Sequence, residues 1–265
     1  MHLDLQGMKN TILILLSIFS INISLAGENK NEENNNSNDV NSPQETKQAA
    51  RPNIPGDLML DFGFNLDYNA PEKMNLQIIG SRGINIYYLL NPSFNFGKMI
   101  TFHPGFGVGF GNLMFNDDII LTNRQVDGEF DVRLDSAQDI LPAASAITKS
   151  KLTLGYFEVP LELRVNFNKA NPETGIKLAL GGKIGYRIDA HTKVKYDEGG
   201  DSKKLKMKED FQTNRLRYGV YARFGFDAIQ LYYFHGLSGV FQQGDGPEGT
   251  NDTTVGMAGI TFNLF

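Results

Sequence analysis

From residue 57 onward, apolar and polar side chains alternate with a period of two, over stretches long enough to be strands and with little helical periodicity. Asp57 to Asp67 puts Leu58, Leu60, Phe62, Phe64 and Leu66 on one face and Asp57, Asp61, Gly63, Asn65 and Asp67 on the other, with Met59 the exception. Gly83 to Leu90 sets Ile84, Ile86, Tyr88 and Leu90 against Gly83, Asn85 and Tyr87. In Met99 to Phe110, Phe102, Pro104, Phe106, Val108 and Phe110 oppose Thr101, His103, Gly105, Gly107 and Gly109. Further strands are predicted at Lys151–Phe167, Ile176–Ala190, Asn214–Phe226, Ile229–Gly236 and Thr254–Phe265. One face of each is greasy, and the other carries Gly, Arg and Glu with few Lys.

That contrast separates two architectures. In a soluble sandwich the polar face meets water. In a transmembrane barrel the apolar face meets lipid, and the small or charged face meets a lumen that eight strands leave only wide enough for side chains. The predicted strands reach or exceed ten residues in most cases, which suits a tilted bilayer crossing. Their links alternate as a barrel with both ends on the inner side requires. Links at 91–98, 168–175 and 227–228 are short, whereas 112–150, 191–213 and 241–253 are long and polar. Only the first outer link, Tyr68 to Lys73, is unexpectedly short. Asp127-Gly128 inside the 112–150 link signals a hairpin, read as an outward flap; if both its arms cross the membrane, the barrel has ten strands. The expected fold is therefore an all-β, antiparallel up-and-down transmembrane barrel of about eight strands over residues 57–265.

What precedes residue 57 fits export. Met8-Lys9-Asn10, an apolar run from Thr11 to Leu25, and Ser24-Leu25-Ala26 form a secretory signal peptide cleaved after Ala26, so 1–26 is a leader. Residues 1–7 precede Met8 and read as a misassigned start or a cloning remnant. Residues 27–56 are Asn-, Glu- and Lys-rich and predict a disordered periplasmic tether. The chain has no Cys, which removes disulfides, thiolate chemistry and lipid attachment at a cysteine. A net charge of −5 argues against nucleic acid as a partner.

Parity aims Asp61, Glu158, Glu162, Arg164, Lys183, Arg187, Arg215, Arg217 and Arg223 inward. Charges in so narrow a lumen must pair, so this set is read as a network that fills and stiffens the barrel. Bases outnumber acids in it, and an anion-favouring narrow pathway is the alternative. Tyr68, Tyr87, Tyr88, Tyr186, Tyr218, Tyr232 and Tyr233 are candidates for the interfacial aromatic belts of a chain without Trp.

Enzyme signatures are weak. Glu158 and Glu162, four apart on one strand, stand about 13 Å apart, too far for paired glycosidase carboxylates. The glycines of 105–111 recur strictly every second residue, without the gap, helix or lysine of a phosphate loop. His103, predicted as a lumen hydrogen-bonding residue, and His191 and His235, predicted near loops, fall in no catalytic spacing. No cofactor or metal site is expected.

At Arg51 to Asp57, at Tyr156-Phe157-Glu158-Val159-Pro160-Leu161-Glu162-Leu163-Arg164 and at the closing Phe265, the chain resembles the PorT-like outer-membrane β-barrel domain family, over about residues 51–265. Phe265 also resembles the terminal signal read by barrel-insertion machinery. The resemblance implies an eight-stranded barrel in the cell outer membrane, with outer-membrane lipid, that machinery and other envelope or secretion proteins as partners. It also implies a part in protein secretion linked to gliding motility. The sequence thus points to a non-enzymatic structural or assembly barrel, with a narrow solute channel or a surface-binding adhesion barrel as the alternatives.

Overall fold

A computed structural model describes residues 56–90, 94–96, 99–116, 118–126, 129–167, 175–226 and 228–264. The predicted leader, the tether up to Pro55, Phe265 and most of the short inner links lie outside the described residues. Among the described residues there are twelve strands: β1 Asp57–Tyr68, β2 Arg82–Leu89, β3 Phe94–Phe96, β4 Ile100–Met114, β5 Ile119–Val126, β6 Glu129–Ser136, β7 Ala146–Asn166, β8 Ile176–Glu198, β9 Asp201–Met207, β10 Leu216–Phe226, β11 Ile229–Gly236 and β12 Thr254–Asn263.

Eight of these close a ring. All pairings are antiparallel and run β1-β2-β4-β7-β8-β10-β11-β12, with β12 returning to β1 from Met59↔Asn263 to Tyr68↔Thr254. This is the expected up-and-down transmembrane barrel. The three remaining ladders are appendages. β3 pairs with β4 at the inner end, β9 extends the sheet beside β8, and β5 and β6 form a separate two-stranded hairpin. The hairpin does not join the ring, so the barrel has eight strands and not ten.

The outward faces form the predicted greasy band. Phe62, Ile86, Phe106, Phe157, Leu161, Leu180, Ile184, Val220 and Leu231 are all more than a third exposed, as side chains turned toward lipid are. Met59, out of step with the apolar set of β1, is fully buried and packs inside with Tyr87 and Leu89.

Two outer links differ from expectation. The first runs from Asn69 to Ser81 and contains a short 3-10 turn at Glu72–Met74, so it is not the short exception predicted. The link predicted as loop over 191–213 is mostly strand. β8 continues to Glu198 and turns at Gly199-Gly200, whose φ of +63° and +91° suit the tight hairpin turns that glycine favours. β9 returns from there. With 23 residues, β8 is about twice the length a tilted crossing needs, so its outer half stands above the membrane.

A second core sits at that outer end. Met74, Leu76, Leu113, Phe115, Leu121, Val132, Leu152, Leu154, Phe211, Val240 and Phe241 are all buried in one cluster drawn from ring strands and outer links. The hairpin β5-β6 contributes Leu121 and Val132 to it, which seats the hairpin over the barrel mouth.

Candidate functional site

Inside the membrane-spanning part, the inward faces of the ring meet in two charge clusters. The outer one centres on Glu158 of β7, which is fully buried. Arg217 reaches it through Nε at 3.1 Å and Nη2 at 2.5 Å, Lys183 Nζ lies at 3.1 Å, and the Tyr87 hydroxyl donates to it as well. Lys183 also donates to the Tyr87 oxygen at 2.8 Å and stands 4.1 Å from the centre of the Phe234 ring, while Arg217 lies 4.0 Å over the Tyr156 ring. Aromatic faces thereby satisfy the sides of cations whose N–H groups point at carboxylate.

The inner cluster centres on Glu162 and Arg223, both fully buried. Arg223 donates to Glu162 and, through Nη2, to both oxygens of Asp61 at 3.2 and 3.1 Å, with its Nε 3.1 Å from the Thr261 hydroxyl. Thr261 donates onward to Asp61 at 2.6 Å, and Asn85 donates to Asp61 at 3.3 Å. Arg164 bridges Glu162 to Asp57. The guanidinium of Arg223 lies close to the rings of both Tyr221 and Tyr232, 4.7 and 5.2 Å away.

The strands allow this crowding because small residues face the clusters. A Cβ on Gly109 would stand 2.6 Å from a Glu158 carboxylate oxygen, and one on Gly185 would stand 2.9 Å from Glu158 Cγ. Of the every-second-residue glycines of β4, Gly109 gives up the space that Glu158 occupies, whereas Gly107 makes room for Tyr87 and Gly105 for Leu89.

Of the nine residues that parity aimed inward, Asp61, Glu158, Glu162, Arg164, Lys183, Arg217 and Arg223 meet in these clusters. Two do not. Arg187 sits at the outer rim, where it pairs with Asp210 at 2.7 Å and donates to the Thr213 carbonyl at 2.5 Å. Arg215 is exposed just ahead of β10. Asp57, on the inward face of β1, joins the inner cluster. The two clusters together hold Asp57, Asp61, Glu158 and Glu162 against Arg164, Lys183, Arg217 and Arg223, four acids to four bases, with Lys177 also buried at the inner end, so little remains of the excess of bases behind the anion-pathway reading.

The tyrosines also divide. Tyr88, Tyr186, Tyr218 and Tyr233 face outward, but Tyr87 and Tyr232 are buried in the lumen beside the clusters and belong to no belt. Tyr68 and Tyr233 share a hydroxyl contact of 3.0 Å at the outer rim, with His235 packed on both rings. Asn85, Thr261 and Asp57 could have been found by the same parity, since all three lie on the polar faces of their strands. Tyr221 and Phe234 were hidden because an aromatic residue signals lipid or core equally well.

The void nearest the clusters, lined by Asn65, Gly111, Leu154, Tyr156, Arg217 and Val240, measures about 20 Å³, room for about one water. The histidines lie apart. His103 is buried near the inner end, in contact with the Leu90 carbonyl at 3.1 Å and the Thr101 hydroxyl at 2.8 Å, while His191 meets Asp189 at 2.7 Å outside the barrel wall. No group of three or more His, Asp or Glu able to hold a metal ion occurs among the described residues.

The crystal structure of Ail, the attachment invasion locus protein of Yersinia pestis, is 14% identical, covers 79% of this chain and 99% of its own, and superposes with a TM-score of 0.33 in its complex with the heparin analogue sucrose octasulfate. Ail solved without that ligand gives 16% identity at the same coverage and a TM-score of 0.31. No curated protein matches. Residues 47–242 match the family described as outer membrane protein beta-barrel domain. With its ring of eight antiparallel strands and its lipid-facing band, the chain belongs to that family of outer-membrane barrels and resides in the cell outer membrane.

Proposed function

We propose that the protein is a non-enzymatic outer-membrane scaffold whose barrel is shut and whose outer hairpins carry the function, as a surface-binding or assembly component. The observation that carries this reading is the filled lumen. Four acids and four bases neutralise one another across it, and an apolar core closes the outer end above them. A solute path would need water along the axis, and the paired side chains leave room for little of it. The outer links support the same reading, since two of them are built as β-hairpins (β5-β6 and β8-β9) and not as loose loops. A secretion- or gliding-linked assembly is the setting that the PorT-like resemblance implies for such a scaffold.

The test is single-channel recording of the folded, full-length protein in planar bilayers. The expected record is silent at all holding potentials, while co-purification of envelope proteins is lost when the tips of β5-β6 and β8-β9 are shortened. Reproducible unitary currents that change with Arg217→Ala would overturn the reading in favour of a narrow channel.

A further inference from the structure

Above the membrane, β7, β8 and β9 form a three-stranded sheet with one unusual face. Register pairs Lys149 with Lys195 and Lys195 with Lys204, and one step nearer the membrane it pairs Lys151 with Lys193 and Lys193 with Lys206. Directly paired residues of an antiparallel sheet point to the same side, with Cβ atoms about 5 Å apart, and next-but-one residues on a strand lie about 7 Å apart. Six lysines thus form a lattice of two rows by three strands. The opposite face carries Ile147, Val194, Tyr196, Leu205 and Met207, packed against Ile120 and Ala137 of the outer links. The lysines must therefore face away from the barrel axis.

Like charges placed opposite one another destabilise a sheet, and nearby carboxylates do not relieve this lattice. Glu198 pairs with Lys203, and Asp189 with Lys208 and His191, at the margins, while Asp197 stands at the tip. Among the described residues no ion pair involves the six. Lys151 gives a hydrogen bond to the Asn112 side chain at 2.6 Å. Burial, then the charges of Lys193 and Lys149, hold its ammonium below the ordinary lysine range.

Height selects the ligand. The last outward apolar residues of β7 and β8 are Phe157 and Ile188. Lys151 and Lys193 lie six and five residues beyond them, roughly 16 to 20 Å along the strand and about 12 to 15 Å along the membrane normal at a usual barrel tilt. The headgroup zone of a simple bilayer extends only about 5 to 8 Å past the hydrocarbon. The lattice faces sideways just beyond it, at the level of the sugars of a glycolipid. We infer that the lysine lattice on β7, β8 and β9 binds phosphate-bearing saccharide headgroups of the glycolipids around the barrel. The inference stands on the lysine register and the outer-membrane location; a conducting lumen would overturn the scaffold reading and leave it intact.

The experiment titrates the detergent-folded full chain with rough lipopolysaccharide, intact or dephosphorylated, and with heparin as a soluble polyanion. Intact lipopolysaccharide should bind best and in a salt-dependent way. Replacing Lys193, Lys195, Lys204 and Lys206 together by Gln should weaken that binding on the order of a thousandfold, whereas replacing the same four by Arg should preserve it. The boiling-dependent gel shift verifies that each variant is folded. Should the fourfold Gln variant misfold, the pair Lys195→Gln with Lys204→Gln must still weaken binding. Unchanged binding by the folded Gln variants, equal binding of dephosphorylated lipopolysaccharide, or tighter lysine-dependent binding of heparin each overturns the inference, the last in favour of a soluble polyanion.

Discussion

Within the membrane, β7 and β8 carry charge inside and hydrocarbon outside; beyond Ile188 the same two strands carry hydrocarbon inside and lysine outside. They make the exchange by different means. Along β7 the inward positions are even from Leu152 and Leu154 in the outer core to Tyr156, Glu158, Glu162 and Arg164 below, so over this stretch the change is one of residue type at constant parity. Along β8 the apolar residues stay on even positions, from Leu180, Ile184 and Tyr186 to Val194 and Tyr196, and it is the parity that changes. The pairing steps from Gly155↔Asp189 to Tyr156↔Arg187, leaving Ile188 as an extra residue. This is a β-bulge, one unpaired residue that bends and re-aims a strand. Below it Lys183 and Gly185 point inward; above it Ala190, Thr192 and Val194 do. A strand with one unvarying alternation thereby serves a lipid-facing wall and a water-facing one.

Deleting Ile188 is the sharpest way to break that contrast. A one-residue change of register moves every side chain to the opposite face, so the variant must expose Val194 and Tyr196 or turn the lysines into the outer core. Retained gel-shift behaviour of the barrel with rapid proteolysis at 189–208 is expected, and wild-type protease resistance there would show that the bulge does not set the facing. Glu162→Ala comes next, since it leaves Arg164 and Arg223 buried without their shared partner. A loss of about 3 to 5 kcal/mol is expected from breaking a buried pair, measured as the shift in denaturant-unfolding midpoint in lipid vesicles. The smallest effect separates the two outward faces. Leu180→Arg, on the lipid side, should cost about 2 to 4 kcal/mol near the midplane, whereas Lys195→Leu on the outer sheet should change stability by less than about 1 kcal/mol. Equal costs at the two sites would remove the distinction between them.

Much of the barrel was legible because its two environments differ so strongly. Lipid admits no charge and a narrow lumen admits little bulk, so Phe, Leu and Ile had to alternate with Gly, Glu and Arg, and strand after strand repeated the pattern. Inward charge was legible by parity for the same reason. The reading failed where strands leave the membrane. Arg187 and Arg215 have inward parity, but at the rim a side chain has water and loop carbonyls within reach, so parity no longer implies a lumen position. The β8-β9 hairpin has its own alternation, with Thr192, Val194 and Tyr196 set against lysines ahead of Gly199-Gly200, but its outer face is charged, so it lacks the greasy outer face that marks a membrane wall.

The amino-acid sequence by itself determined that the chain crosses as strands, their lipid-facing sides and most of the buried charges, because these follow from local alternation and the bilayer's intolerance of charge; that eight strands and not ten close the ring was settled by the pairing. Only the tertiary structure decided which carboxylate each arginine meets, that Asp57 balances the set, and that one added residue at Ile188 reverses β8. Pairing and register depend on the neighbouring strand, and no strand carries its neighbour's register within its own sequence.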